Sequence, residues 1–350
     1  MKDFFQPLIF WYHSNNYNMP WRKTKSPYKI WISEIILQQT QVKTGKKYYT
    51  KWMKKFPTVK KLASSNIDKV LKAWEGLGYY QRAHNLHFTS KIINNKYNKK
   101  IPNTYDELVQ LKGIGDYTAS AILSIAYDKP YAAIDGNIKR VMSRLYMIDN
   151  KKEIISFSKL KIEKNMKYFS PSDINQSLMD LGREICKPKN PKCLICPIHN
   201  YCLAFKKNKI SLFPPKKIPK KTPIFNVIVG IIWLDNKLLI SKRKKDGLLG
   251  GLWELPGGKV EGNESSSKCL KREILEEINI KITINEKIGK IKHQYSHFGI
   301  NLTAYDCQYK SGKIKALAAE KIKWINYKDI NKYAFPKATL KIFEIINNQT

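Results

Sequence analysis

The sequence contains no long apolar run and very little arginine. None of its apolar stretches approaches the roughly 18–20 residues that a membrane-spanning helix needs. The short stretch from Phe4 to Tyr12 is not followed by the small-residue site at which a secretory leader is cleaved. We therefore expect a soluble, cytoplasmic protein with no targeting segment and no membrane partner.

Acidic residues are also scarce, at 28 against 64 basic residues, so the formal net charge is +36. Such an excess favours a polyanionic partner, because basic side chains that neutralise phosphates release condensed counterions. Only seven of the basic residues are Arg, and a bias in coding composition would produce the same Lys-rich sequence. Charge alone therefore does not decide whether the chain binds DNA.

Cysteine is infrequent, but four of the six cysteines lie within seventeen residues. In a chain without a secretory leader, such clustering indicates a metal site and not disulfides. The C-x6-C-x2-C-x5-C spacing provides four thiolates, which suit either an iron–sulfur cubane or a tetrahedral zinc ion. The four residues are Cys186, Cys193, Cys196 and Cys202.

The chain is long enough for two domains. Helical spacing predicts helices over 28–42, 62–74 and 117–127, and we expect a helical domain over residues 1–205. A Lys/Pro-rich segment, 206–223, then reads as a linker. Residues 224–350 form a mixed α/β domain, with strands predicted over 225–234 and 237–241 around the turn Asp235-Asn236, and a helix over 266–278.

A glycine hairpin joins two of the predicted helices. Thr104 and Glu107 fit a capping box that starts the first helix, and helical spacing resumes at Tyr117. Gly113 and Gly115 let the backbone approach a ligand closely, and the amides that begin the second helix favour a DNA phosphate. A pair of glycines in an ordinary turn between helices is the alternative.

A carboxylate, Glu34, lies in an otherwise apolar stretch, with Gln38 one helical turn later on the same face. A desolvated carboxylate binds a proton more readily, and such an acid can protonate a departing base during glycosidic cleavage. A second carboxylate would offset positive charge that grows on the sugar. Asp135, which follows the apolar stretch 131–134, is the candidate, although it could be only a turn or helix-cap residue.

The cysteine spacing, the hairpin and the turn at 134–137 together resemble the endonuclease III superfamily of DNA glycosylases, whose metal group is a 4Fe–4S cluster. The segment 33–41, SEIILQQTQ, is similar to the S-E-x-x-L-Q-Q-T-Q signature of the adenine DNA glycosylase (MutY) family. The resemblance spans about residues 8–205 and also includes Trp21, 76–80 and 179–182.

This resemblance implies a role for each matching residue. Glu34 protonates the adenine, and Asp135 stabilises an oxocarbenium-like sugar with help from Asn137 and Tyr117. Gln38 and Tyr79 wedge into the duplex beside the flipped base.

The close competitor is a bifunctional, endonuclease III-like pyrimidine glycosylase/lyase. That enzyme carries a lysine nucleophile where this hairpin has Tyr117, which cannot form a Schiff base. We therefore expect a monofunctional enzyme. Lys139 could trap the abasic sugar adventitiously, but we interpret it as a phosphate contact or a solvated side chain.

The second domain carries a segment similar to a Nudix box, over 257–280, with Asn279 in place of the final glycine. Asn can also adopt the positive φ of that position. Glu273 and Glu277 lie one helical turn apart and Glu276 is adjacent, so these carboxylates could hold Mg²⁺ against a pyrophosphate. A solvated acidic helix face is the alternative.

The segment 293–298, HQYSHF, resembles the F-S-H loop of the same glycosylase family. The resemblance implies that this domain recognises 8-oxoguanine opposite the adenine and that Ser296 contacts it. Because the Nudix box is nearly intact, hydrolysis of oxidised nucleotides is a further possibility.

Together these features predict a multi-domain protein: an all-α helix-hairpin-helix glycosylase domain with a 4Fe–4S loop at 186–202, followed by an α/β Nudix-like domain. The expected function is excision of adenine opposite 8-oxoguanine or guanine in duplex DNA, by a monomer associated with the nucleoid. The alternatives are the glycosylase/lyase, a Nudix hydrolase with a DNA-binding appendage, and a DNA-binding module without catalysis.

Overall fold

The computed structural model describes residues 4–15, 18–215 and 222–349, and these divide into two compact units. The first unit comprises Met1–Ser64 and Phe88–Ile218, and the second comprises Ser65–His87 and Pro219–Thr350. Residues 65–87, which the sequence assigns to the helical domain, thus group with the C-terminal residues. Part of the predicted linker, 216–221, lies outside the described residues.

The described part of the first unit is helical throughout and contains no strand. Short 3₁₀ turns occupy Pro20–Lys23, Cys193–Ile195, His199–Tyr201 and Ile210–Leu212. The α-helices are α1 (Phe5–Ser14), α2 (Pro27–Leu37), α3 (Val42–Lys55), α4 (Val59–Ala63), α7 (Tyr105–Val109), α8 (Asp116–Tyr127), α9 (Gly136–Tyr146), α10 (Lys151–Asn165), α11 (Pro171–Glu184) and α12 (Leu203–Lys206). Helix α6 (Gln81–Lys96) contains the division between the units, and α5 (Ile67–Trp74) belongs to the second unit.

Two predicted helices are interrupted in the structure. The helix predicted over 28–42 ends at Leu37, because Gln38 leaves the helical conformation and Gln39 has a φ of +60°. The helix predicted over 62–74 is also wrong as one element: α4 ends at Ala63, and the side chain of Asn66 caps a new helix by accepting the amide of Asp68 at 2.7 Å. Apolar spacing alone does not reveal such short breaks.

The hairpin forms between α7 and α8. Helix α7 begins after Thr104 as predicted, but the Thr104 hydroxyl bonds the carboxylate of Glu107 and caps no amide. The two side chains therefore bond each other, and neither makes the backbone-amide hydrogen bond of a capping box. Ile114, 3% exposed, anchors the turn in the core, while Gly113 and Gly115 on either side of it are exposed.

The buried helix α11 fixes the segment that precedes α9. The side-chain oxygen of Asn175 accepts the backbone amide of Ala133 at 2.9 Å, and its amide nitrogen donates to the Tyr131 carbonyl at 2.9 Å. At Gly182, a Cβ atom would lie only 2.6 Å from Cβ of Asn137, so only glycine allows α11 to approach the start of α9 so closely. These contacts determine where Asp135 and Asn137 lie.

The second unit is built on a seven-stranded sheet in which the order β3-β2-β1-β6-β5 is extended by β4 on β1 and β7 on β2. Strands β1 and β6 are parallel, and the other pairs are antiparallel. Its elements are β1 (Ile224–Leu234), β2 (Lys237–Lys242), β3 (Trp253–Glu254), β4 (Gly257–Lys259), α13 (Ser266–Ile278), β5 (Lys281–Gln294), β6 (Gly299–Ser311), β7 (Lys321–Asn326), a 3₁₀ turn (Tyr327–Lys332) and α14 (Lys337–Gln349).

Alternation along β1 divides the unit's core between the two faces of the sheet. Ile228 and Ile232 pack with residues of α13, whereas Val229 and Ile231 pack with residues of α14. The predicted strands and the helix 266–278 are confirmed to within one residue at each end, and Asp235 and Asn236 form the tight turn between β1 and β2, both with positive φ. No described helix is long and apolar enough to cross a membrane.

Candidate active site and iron–sulfur segment

Five residues that the sequence singles out meet in one cleft of the first unit. The cleft has a volume of about 800 Å³ and lies between α2, the start of α8, the start of α9 and the end of α11. Its walls include the five predicted residues Glu34, Gln38, Tyr117, Asp135 and Asn137.

Glu34 lies on the buried face of α2 and is only 7% exposed. The hydroxyl of Tyr117 donates a hydrogen bond of 2.5 Å to Glu34 Oε2. Burial raises the pKa of Glu34 above its ordinary value, and the nearby Asp135 adds to this, although the Tyr117 hydrogen bond and the charge of Arg22 act in the opposite direction. Glu34 therefore holds a proton more tightly than an exposed glutamate does.

Asp135 caps the N-terminus of α9. Its Oδ1 accepts the backbone amide of Ile138 at 2.7 Å, and its Oδ2 accepts the side-chain amide of Asn137 at 2.8 Å. Burial raises the pKa of Asp135, but these two hydrogen bonds and the charge of Arg140 oppose the rise by favouring the anion. The two carboxyl groups of the cleft thus have different surroundings. Glu34 accepts a hydrogen bond from the hydroxyl of Tyr117, whereas Asp135 accepts a backbone amide at the N-terminus of α9.

Sequence reasoning gave no role to the arginines of the cleft. Arg140 donates to Asn137 Oδ1 at 2.8 Å and to the carbonyls of Gly182 and Cys186, each at 2.7 Å. Arg22 donates to the buried Asp180 at 3.1 Å. The scarcity of arginine was the available signal, because three of only seven arginines, Arg22, Arg140 and Arg183, line this cleft.

Gln38 ends α2 and reaches the cleft beside Thr118, whose hydroxyl oxygen lies 3.5 Å from Gln38 Nε2. Its backbone amide still bonds the Glu34 carbonyl at 3.3 Å, so the two residues remain one turn apart as predicted. The left-handed residue Gln39 turns the chain away immediately afterwards. Gln38 therefore lies at a sharp turn on the cleft wall.

The hairpin glycines have the backbone freedom that the sequence predicts. Gly113 has a φ of +86°, which favours glycine, and Gly115 precedes the first residue of α8. A Cβ at Gly115 would meet no atom within 4 Å, so the space in front of this helix terminus is open. An exposed helix N-terminus of this kind suits a phosphate.

The four clustered cysteines lie on the loop after α11 and are all free thiols, each partly buried. Burial raises the pKa of Cys196 to about 12, and the nearby thiols of Cys186, Cys202 and Cys193 add to the rise. The described residues include no three His, Cys, Asp or Glu side chains placed to hold a single metal ion.

Arg144 organises this cysteine loop from α9. The arginine is 4% exposed and donates to Cys186 Sγ at 3.3 Å, to the Lys187 carbonyl at 2.8 Å and to the Pro188 carbonyl at 3.2 Å. The guanidinium places a positive charge and hydrogen-bond donors beside a sulfur atom that an iron–sulfur cluster would use as a ligand. The donor set and its charge thus fit an iron–sulfur cluster.

In the second unit, two further predicted residues contact each other directly. Tyr79 has a φ of +47° and is 43% exposed, and its hydroxyl donates to the hydroxyl of Ser296. Both residues line a pocket of about 520 Å³. Tyr295 takes the place of the family's phenylalanine and keeps an aromatic role, because its ring lies 4.9 Å from that of Phe298.

The glutamates of the Nudix-like segment already have partners in the structure. Arg272 donates to Glu273 at 3.0 Å and to Glu276 at 3.1 Å, while Glu277 accepts the Gly257 amide at 3.3 Å. Burial, together with the neighbouring carboxylate of Glu254, raises the pKa of Glu277 to about 7. Among the residues that the structure describes, the three glutamates are not placed around a single metal ion.

The nearly intact box nevertheless has the backbone that its sequence predicts. Asn279 has a φ of +60° and ends α13, as expected for a residue in place of glycine. At Gly258, a Cβ atom would lie 2.1 Å from the carboxyl carbon of Glu273, so this carboxyl group packs directly against the glycine.

Comparison with known proteins assigns a class to each region. Residues 32–165 match the HhH-GPD superfamily of base excision DNA repair proteins, residues 186–202 match the iron-sulfur binding domain of endonuclease III, and residues 228–344 match the NUDIX domain. The fold and the cleft are therefore those of a helix-hairpin-helix DNA repair protein with a C-terminal Nudix domain.

Whole-length relatives narrow the assignment. An adenine DNA glycosylase of Buchnera aphidicola subsp. Schizaphis graminum is 34% identical over 98% of both chains, and that of Buchnera aphidicola subsp. Baizongia pistaciae is 39% identical over 84% of this chain and 83% of the relative. The structure of a thermostable thymine-DNA glycosylase is 27% identical with a TM-score of 0.52, covering 58% of this chain and 95% of the other. This chain belongs to the adenine DNA glycosylase family, which confirms the family and the fold class predicted from the sequence.

Proposed function

We propose that this protein removes adenine from duplex DNA in which the opposite base is 8-oxoguanine or guanine, and that it does so without cutting the strand. The observation that carries the proposal is the buried Tyr117–Glu34 hydrogen bond in the same cleft as Asp135. This arrangement supplies an acid and a separate anion, which N-glycosidic cleavage requires.

Glu34 is the general acid. As the bond between the sugar and the adenine breaks, its electron pair leaves with the base, and the carboxyl proton of Glu34 passes to the adenine. The raised pKa of Glu34 supports this role because it increases the fraction of the acid form near neutral pH. Tyr117 orients the carboxyl group through its hydroxyl.

Asp135 offsets the positive charge that develops on the sugar. Its position at the N-terminus of α9 and its hydrogen bonds from Asn137 and Ile138 support the ionised form and fix its direction. Water then adds to the sugar carbon, and the proton that it loses returns to the carboxylate of Glu34. The position at which a lyase carries its lysine nucleophile is Tyr117, so no amine replaces water there, and the product keeps an intact strand with an abasic site.

Duplex binding rests on the hairpin and on two wedge residues. Gly113 and Gly115 present backbone amides to a phosphate, which positions the duplex without reading its sequence. Gln38 and Tyr79 enter the duplex beside the flipped adenine. The large excess of lysine supports a strong and salt-sensitive contribution from phosphate contacts.

The thiolates of the loop at 186–202 hold a 4Fe–4S cluster. The spacing of the four cysteines and the hydrogen bond from Arg144 to Cys186 support this assignment, because a cubane takes four thiolate ligands. When bound, the cluster cross-links the loop. It would be held by Cys186, Cys193, Cys196 and Cys202.

The second unit reads the base opposite the adenine, and Ser296 contacts the 8-oxoguanine. The exposed position of Ser296 beside Tyr79, which is proposed to enter the same duplex, supports this role. We further propose that the protein acts as a monomer in the cytoplasm, at the nucleoid.

A second candidate activity is Mg²⁺-dependent hydrolysis of oxidised nucleotides at Glu273, Glu276 and Glu277. The nearly intact box, which lies within residues that match the NUDIX domain, supports it. Incubation of the protein with 8-oxo-dGTP and Mg²⁺ tests it, and a lack of turnover would remove it.

The main proposal is tested with duplexes that contain 8-oxoguanine paired with adenine or with cytosine. We expect abasic sites only in the adenine duplex, and strand breaks only after alkali. Breaks before alkali would indicate a lyase, and equal attack on both duplexes would show that adenine opposite the lesion is not the substrate.

A further inference from the structure

The turn that presents Tyr79 has an unusual backbone. Gly76, Gly78 and Tyr79 all have positive φ angles, of +92°, +69° and +47°. Glycine adopts such angles freely, but a residue with a Cβ atom is disfavoured there. Because the Tyr79 side chain is also 43% exposed, its own burial contributes little to holding this conformation.

Arg82, the second residue of α6, contacts this turn at several points. Its Nη2 donates to the carbonyls of Leu77 and Gly78, each at 3.2 Å. The guanidinium carbon lies 5.0 Å from the ring centroid of Trp74 and 5.8 Å from that of Tyr79. The indole of Trp74 donates to the same Gly78 carbonyl at 3.0 Å. One guanidinium thus joins both aromatic rings to the backbone of the turn.

These contacts require the particular shape of arginine. A guanidinium is flat, stacks on rings and donates in several fixed directions, whereas a lysine ammonium is a compact, strongly hydrated point charge. The chain uses arginine at only seven of its 64 basic positions, so an arginine at this position stands out against the composition. Burial lowers the pKa of Arg82 only to about 10, which leaves the side chain charged at neutral pH.

We propose that Arg82 is a positioning residue that holds the Tyr79 turn in the conformation in which Tyr79 meets Ser296 and enters the duplex. Arg82 contacts neither the adenine nor the cleft of Glu34 in this role and acts entirely through Tyr79. The inference rests on the proposed function, because it assumes that Tyr79 takes part in recognising the mispair.

The test is a double-mutant cycle in the full-length protein, with Arg82→Lys, Tyr79→Ala and the combined variant. The measurement is the single-turnover rate of adenine release from 8-oxoguanine:adenine and guanine:adenine duplexes. We expect Arg82→Lys to lower the rate on the order of tenfold, because a charge-assisted hydrogen bond and a cation–π contact are lost. The combined variant should be no slower than Tyr79→Ala alone, since residues that act through one another are not additive. The reciprocal exchange Lys91→Arg, at an exposed position of α6, serves as the control.

Losses that multiply in the combined variant, or an Arg82→Lys protein that behaves like the wild type, would overturn the inference. Amide hydrogen exchange of the free protein provides a readout that does not depend on activity. We expect Arg82→Lys to speed exchange at 76–80 and to leave the sheet strands unchanged. Faster exchange throughout the second unit would instead show a general stabilising role and would also overturn the inference. A wild-type protein that releases no adenine would refute the proposed function, whereas the exchange result would still decide the role of Arg82.

Discussion

Replacing Glu34 with glutamine tests the acid role with little change in shape. The amide has the size of the carboxyl group, and its carbonyl oxygen can still accept the Tyr117 hydroxyl, which lies 2.5 Å from Oε2 in the wild type. The variant should therefore fold and bind duplex normally. Its amide cannot give a proton to the departing adenine.

The expected loss is about 10²-fold or more in the single-turnover excision rate, the usual contribution of a positioned general acid. This corresponds to roughly 2.7 kcal/mol or more of barrier. Tyr117 does not replace the acid, because burial and the nearby carboxyl groups raise its pKa well above the ordinary value of a tyrosine. Glu153→Gln, at an exposed position in the first turn of α10, is the matched control and should retain the wild-type rate.

Stability and pH dependence provide an independent check on the same residue. Since folding raises the pKa of Glu34, ionisation of this group opposes folding as the pH rises from its unfolded pKa through its folded pKa. The Tm of Glu34→Gln at pH 7 should therefore equal or exceed that of the wild type, and the difference should shrink on acidification. A folded, duplex-binding variant that excises adenine at nearly the wild-type rate would refute the reasoning.

Three further predictions concern the other parts of the site. Asp135→Asn should still cap α9, because Asn is as good an N-cap as Asp. It should nevertheless lower the excision rate by about 10²-fold, because the anion beside the sugar is lost. A comparable Tm with an unchanged rate would remove Asp135 from this role. Protein purified without oxygen should be brown and contain iron. The variant Cys196→Ser should lose the colour, whereas the control Cys269→Ser, at a buried cysteine outside the loop, should keep it. Stoichiometric zinc in a colourless wild-type protein would contradict the cluster. Ser296→Ala should reduce the preference for 8-oxoguanine:adenine over guanine:adenine by about 1 kcal/mol. Tyr79→Phe should have a similar effect, because the hydroxyl groups of Tyr79 and Ser296 are hydrogen-bonded to each other. An unchanged ratio of the two excision rates would mean that this pair does not read the lesion.

Local patterns predicted the bounds of several elements. The strands β1 and β2, the turn between them and the helix α13 follow directly from alternation, turn residues and helical spacing. Asn279 takes the left-handed conformation that its position in the box requires. The breaks after Leu37 and Ala63 were missed because apolar spacing continues across them and each break is only a few residues long.

Contacts between residues distant in sequence could not be predicted in the same way. Residues 65–87 group with the second unit because of such contacts: Lys72 Nζ donates to the Tyr333 carbonyl at 2.8 Å, and Glu75 accepts the Phe335 amide at 2.9 Å. A charged side chain on an amphipathic helix does not disclose a partner about 260 positions away. The convergence of Glu34, Tyr117 and Asp135 was predicted only through the family resemblance, since no local pattern relates them.

The identity of the released base tests the central claim most directly. Mass spectrometry of the small molecules formed from an 8-oxoguanine:adenine duplex should show one free adenine for each abasic site and no other base. Borohydride should not trap a covalent protein–DNA complex in proportion to the abasic sites. Release of a pyrimidine, or a borohydride-trapped complex in proportion to the abasic sites, would contradict the account.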